Sequence, residues 1–175
     1  MKRKKQSGSA KMPMLELIVN IGIFGIISVF LLELFLAANT MQSKAEDKGK
    51  AIMLSETIAE TIKSAENFEE AVEELELLEI PASIGMQEDG TYQVTNLGEK
   101  NGEAAKEKVY VLHYDNKWQS VSKEDTYCMI LIPFSQEMQG KTLENYQICV
   151  YRLHGYPSML FKEDNIELFQ LKVVK

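Results

Sequence analysis

The sequence predicts an α+β protein: a long N-terminal transmembrane helix that continues as a spine packed on a small antiparallel β-sheet. Three observations predict it. Met14 to Ala38 is apolar almost throughout, and after Asn39 the apolar residues fall into three- and four-residue steps. Beyond Pro81 they change again, to short β-branched and aromatic runs separated by turn residues.

The first element is the span. Leu17 to Ala38 is a run of about 22 residues broken only by Asn20, Ser28 and Glu33, enough at about 1.5 Å per residue to cross a hydrocarbon core of about 30 Å. Leu, Ile, Val and Phe occupy all sides, as expected where lipid or other helices surround the chain. The run is also longer than the apolar region of a cleaved secretory signal. Ahead of it Lys2, Arg3, Lys4, Lys5 and Lys11 stand without an acid, although the chain as a whole has 19 basic and 26 acidic residues and a net charge of −7. Basic residues crowded at one end of a span stay cytoplasmic, so the expected topology is single-pass in the cell membrane, N-terminus inside and C-terminal domain outside. An acidic outer domain is a poor partner for nucleic acid, whose recognition relies on many Lys and Arg. The expected organisation is a basic cytoplasmic leader over 1–11, a transmembrane helix over 12–39, an extracytoplasmic amphipathic helix over 40–66 and a globular α+β domain over 67–175.

The spine is read from Ile52, Ser55, Ile58 with Ala59, Ile62 and Ala65, with Gly49 between Lys48 and Lys50 as the expected weak point. Asn67 then caps a second helix, Glu70 completing a capping box, and Phe68, Ala71, Val72, Leu75 and Leu78 share one face before Pro81 ends it. The acids on its other face read as a solvated surface. Strands are expected over Thr91–Thr95, Val109–Tyr114 and Lys117–Val121 as a hairpin about Asp115-Asn116, Tyr127–Ile132 ended by Pro133, Tyr146–Leu153, and Ile166–Val174 after the turn Glu163-Asp164-Asn165. Four to six antiparallel strands need cover on their apolar face, and the amphipathic helix supplies it.

No enzyme is expected. His113 and His154 have no partner histidine at metal-ligand spacing, and there is no Cys-x-x-Cys, phosphate loop or nucleophile elbow, so neither metal nor cofactor is implied. Cys128 and Cys149 admit two readings. In an exported domain a cross-strand disulfide would close about 20 residues and stabilise by roughly 3 kcal/mol; otherwise both are buried apolar side chains.

A basic leader, a carboxylate at the start of an apolar helix, and a spine for a small β domain together resemble the type IV pilin and pseudopilin family. In that family the fifth residue of the mature chain is Glu and a Gly commonly stands at the fourteenth. Counting Glu16 as fifth makes Met12 the first residue and Gly25 the fourteenth, and Lys11 and Met12 flank the candidate processing site. Lys11 stands where the family has a small residue, and Glu33 where a Pro often follows. The resemblance implies a structural subunit of a type IV pilus, type II secretion or DNA-uptake assembly, with Glu16 and Gly25 at subunit contacts. Its implied partners are membrane lipid, other pilin-like subunits, an assembly platform and a prepilin peptidase. Two plainer readings stand beside it: Glu16 as a helix-start acid stabilised by the dipole, and the whole chain as a solitary anchored binding domain that never polymerises.

Overall fold

The computed structural model describes residues 11–87, 91–97, 107–122, 125–138, 140–156 and 165–174. The basic residues 2–5 and the expected turn residues Glu163 and Asp164 lie outside them, as do the side chains of Lys11 and Met12. Eight elements follow in chain order: α1 (Lys11–Ser64), α2 (Phe68–Glu74), β1 (Leu78–Met86), β2 (Tyr92–Leu97), β3 (Glu107–Tyr114), β4 (Tyr127–Met138), β5 (Lys141–Arg152) and β6 (Ile166–Val174). By contacts the chain divides into two units, Met1–Ser43 and Lys44–Lys175.

Helix α1 is unbroken over 54 residues, about 80 Å at the standard rise, and runs through Gly49 without interruption. Ser28, the hydroxyl inside the apolar stretch, donates to the Phe24 carbonyl at 2.8 Å and so exposes no unsatisfied donor. From Lys44 onward one face is buried: Ala51, Ser55, Ile58, Ala59 and Ile62. Ser55, fully buried, donates to the Ala51 carbonyl at 2.8 Å.

Helix α2 is shorter than its apolar pattern predicts. Asn67 caps it, Oδ1 accepting from the Glu70 N–H at 2.8 Å, while the Glu70 carboxylate accepts from the Glu66 N–H rather than from the cap residue itself. It ends at Glu74 because Glu76 takes a left-handed φ of 52°, and the Leu77 N–H closes back on the Val72 carbonyl at 3.0 Å. Leu78, expected on the helix, opens β1 instead and is exposed.

The sheet is antiparallel throughout, in the order β2-β1-β3-β4-β5-β6. Both prolines expected to stop an element lie inside strands. Pro81 pairs with Lys108 of β3 before β2 pairing begins at Ala82, and Pro133 pairs with Tyr146 of β5 after β3 pairing ends at Leu131. Among the described residues each therefore sits where its strand has a neighbour on one side only, and the missing N–H breaks no described ladder. The expected hairpin over 109–121 reduces to a single bridge, Tyr114 to Ser120, on the edge of β3 that β1 occupies as far as Val111; β4 takes the opposite edge. Asp115 Oδ1 accepts from the N–H groups of Lys117 and Gln119, and the resulting turn puts Trp118 at φ 63°.

Alternation along the strands builds two cores. Leu112, Met129, Leu131, Ile148 and Val150 face the buried side of α1 from Lys44 onward. Val109, Val111, Cys128, Ile130 and Ile132 face the other way, covered by Ile80, Ile84, Tyr92 and Val94 of β1 and β2. This second core exists because the sheet curls back on itself. Gln147 of β5, fully buried, accepts from the Tyr92 N–H of β2 at 2.9 Å and donates to the Tyr92 carbonyl at 2.6 Å, although three strands lie between them in the sheet.

Candidate functional site

Two features are built from more than core packing. One is the apolar stretch of α1. It is the one helix among the described residues long and apolar enough to cross a membrane, and none of its most apolar stretch is buried. Its side chains from Met14 to Phe35, including Phe24, Phe30 and Phe35, are exposed. Glu16 is exposed and lies more than one turn inside the described helix, beyond the reach of the dipole at its end, so the helix-start reading loses its support. At Gly25 an added Cβ would meet nothing within 4 Å. Nine residues are about two and a half helical turns, so Glu16 and Gly25 fall on opposite sides of α1.

The other feature is a buried polar cluster in the Lys44–Lys175 unit. Asp47 lies on the same face of α1 as Ala51 and Ser55, each one turn further on, and is only 8% exposed. Three donors reach its carboxylate. Tyr127 of β4 donates to Oδ1 at 2.8 Å, and Arg152 Nη1 of β5 and the Tyr156 hydroxyl reach Oδ2 at 2.6 and 2.7 Å. Arg152 also donates from Nε to the His154 carbonyl at 2.7 Å, and its guanidinium lies 4.2 Å from the centre of the Tyr156 ring. Trp118 stacks on Tyr127 with centroids 4.0 Å apart, and Lys44, three residues before Asp47, lies over the Tyr156 ring. A carboxylate removed from water is held only by such a complete set of donors.

Burial, then the hydrogen bond to Asp47 and its negative charge, push the Tyr127 phenol up to about 12 against the opposing pull of Arg152. The Tyr156 phenol is raised for the same reasons. Both hydroxyls therefore remain donors at neutral pH. Burial likewise raises the Tyr114 phenol and the Cys128 thiol to about 12. Groups raised on folding stabilise the folded chain fully below their unfolded values, and that contribution is lost as pH rises through the folded ones. Stability is therefore expected to fall between pH 10.0, the ordinary phenol value, and about 12. The fall is roughly 2–3 kcal/mol for Tyr127 alone, and Tyr127→Phe flattens it in urea titrations repeated across that range.

Comparison with protein-family models, with characterised proteins and with solved structures yields no match. Cys128 and Cys149 are free buried thiols. Cys128 sits opposite Tyr151 and Cys149 opposite Ile130, so the two are diagonal neighbours on one face. Diagonal Cβ atoms lie about 7 Å apart against the roughly 4 Å a disulfide needs, and the cross-strand bridge is not formed. His113 pairs through Nδ1 with Asp125, half-buried, and His154 is exposed.

The Asp47 cluster escaped the sequence reading. Two signals point to it: an acid on a stripe that otherwise carries Ala51, Ser55, Ile58 and Ile62, and an arginine, Arg152, in a chain whose other arginine is Arg3.

Proposed function

We propose that the chain is a membrane-anchored, pilin-like or pseudopilin-like structural subunit of a type IV pilus, type II secretion or DNA-uptake assembly. Residues 12–39 cross the membrane with the N-terminus cytoplasmic, and the acidic α+β domain stands outside. The observation that carries this reading is the exposed apolar face of α1, which no other part of the described chain covers. Such a surface is stable only in lipid or against sibling helices. Glu16, exposed on that helix, is costly unless a cation meets it, and the terminal amine of a neighbouring subunit is a fitting one. Continuity of α1 into the helix that carries Asp47 and the core stripe supports a spine role. One observation favours the alternative of a solitary anchored binding domain: Lys11, bulky and charged, precedes Met12, and an uncleaved leader would leave no terminal amine for Glu16.

Mass spectrometry of the membrane-extracted protein, together with disulfide cross-linking of single-cysteine variants near Gly25 in a background where Cys128 and Cys149 are serine, separates the two. A chain starting at Met12 that cross-links into multimers, with yield falling about tenfold in Glu16→Ala, is the expected outcome; one ion pair of about 1–2 kcal/mol accounts for that factor. An intact Met1 with monomers only, unchanged by Glu16→Ala, overturns the filament role.

A further inference from the structure

β3 and β4 are paired from Tyr114 and Tyr127 only as far as Tyr110 and Leu131. Beyond that point β3 runs on to Glu107 alongside β1, while β4 runs on to Met138 alongside β5. The sheet splits there, and a cleft of about 690 Å³ opens between its halves and the α1–α2 turn. Pro133 stands just past the split, and among the described residues β4 from Pro133 onward has a strand neighbour on the β5 side alone.

The walls are aromatic. Phe68 stacks on Tyr146 with centroids 4.8 Å apart, and Tyr92 meets Phe134 at 4.7 Å. The rim is acidic: Glu66 and Glu69 from the α1–α2 turn, Glu107 from β3 and Glu144 from β5. Among the described residues no basic side chain lines the cleft, and none of these four carboxylates has a cationic partner within 4.0 Å. The Tyr146 hydroxyl, which donates to Glu144 at 3.0 Å, is raised by burial first and then by Glu144 and Glu69. Asn145, lining the cleft and 5% exposed, spends an amide N–H on the Leu143 carbonyl.

We propose that this cleft receives an extended segment of a partner protein in which lysine or arginine alternates with apolar residues. Each half of that chemistry has its counterpart in the cleft. Cations relieve the mutual repulsion of the four carboxylates, the aromatic walls take aliphatic stems and apolar side chains, and the unaccompanied stretch of β4 offers main-chain groups to an added strand. Anionic headgroups and nucleic acid are repelled by the same rim. The chain's own basic run is a poor occupant, because Lys2, Arg3, Lys4 and Lys5 are followed by Gln6 and Ser7 with no apolar residue to seat against the rings.

The test uses the full-length protein in detergent micelles at low salt and a fluorescein-labelled peptide alternating Lys with Val and Phe, followed by anisotropy. The peptide is expected to bind saturably, while the same peptide with Glu for Lys does not. Glu107→Gln with Glu144→Gln weakens binding about tenfold, as does Glu66→Gln with Glu69→Gln on the helical side, which leaves the strands untouched; two exposed ion pairs account for a factor of that size. Equal binding of the Lys and Glu peptides, or full affinity in both double variants, overturns the proposal. A peptide of residues 1–11 binding as tightly as the probe overturns the assignment to a foreign partner and points to a second copy. None of these outcomes depends on whether the chain polymerises.

Discussion

Asp47→Ala is expected to destabilise the Lys44–Lys175 unit by about 3–5 kcal/mol, a large part of the roughly 5–15 kcal/mol that holds a domain of this size. The loss does not come from one hydrogen bond. Removing the carboxylate leaves the half-buried Arg152 guanidinium without its counter-charge and strips both phenols of their acceptor. The converse change, Arg152→Met, is expected to be comparably damaging, because it leaves Asp47 as the unpaired buried charge. The double variant should cost less than the two singles added, since a pair removed whole strands neither partner. Urea unfolding of the full-length chain in detergent, followed by the fluorescence of Trp118, reads all three; this single tryptophan stacks on Tyr127 and reports on the cluster directly. A cost under about 1 kcal/mol for Asp47→Ala would show that the cluster is a passive surface pair.

The second large effect is Gln147→Leu. Leucine fills the space and suits the apolar surroundings, so an argument from hydrophobicity alone predicts a gain. A loss of about 2–4 kcal/mol is expected instead, because the Tyr92 N–H and carbonyl lose the two bonds that the amide supplied, and each such orphan costs about 1–3 kcal/mol. The damage should be local. Amide hydrogen exchange at Tyr92–Val94 should accelerate while the β4–β5 amides keep their protection, since those strands share twelve register pairs that do not involve Gln147's side chain. Uniform loss across the sheet would mean that the curl is a consequence of the second core rather than held by this contact.

Much of this architecture was legible because it rests on periodicity. The apolar stretch, the stripe from Ser55 to Ile62, the Asn67 cap and β6 follow from spacing and local chemistry, which tertiary context leaves alone. What failed did so where a distant neighbour decided. Pro81 and Pro133 read as terminators, yet among the described residues each occupies a stretch paired on one side alone, a circumstance visible only once strand order is known. Lys117–Val121 has strand composition, but β1 already holds that edge of β3 as far as Val111. Asp47 reads as one more charge in a polar run after the apolar stretch; its role depends on Arg152 and Tyr156, which nothing local connects to it. The cleft belongs to the same class, since it arises from where two ladders part rather than from any motif.

The three donors that hold Asp47 lie 80, 105 and 109 positions downstream of it. Contacts of such separation are paid for in chain closure before they return anything, and they slow folding accordingly. During synthesis Ile58 and Ile62 emerge long before β4 and β5, the strands that cover them, so the newborn helix spends its first moments with an apolar stripe bare and its anchoring acid unsatisfied. The segment made first is thus the last to be secured, and any factor that shields a nascent helix would act on this chain in that interval.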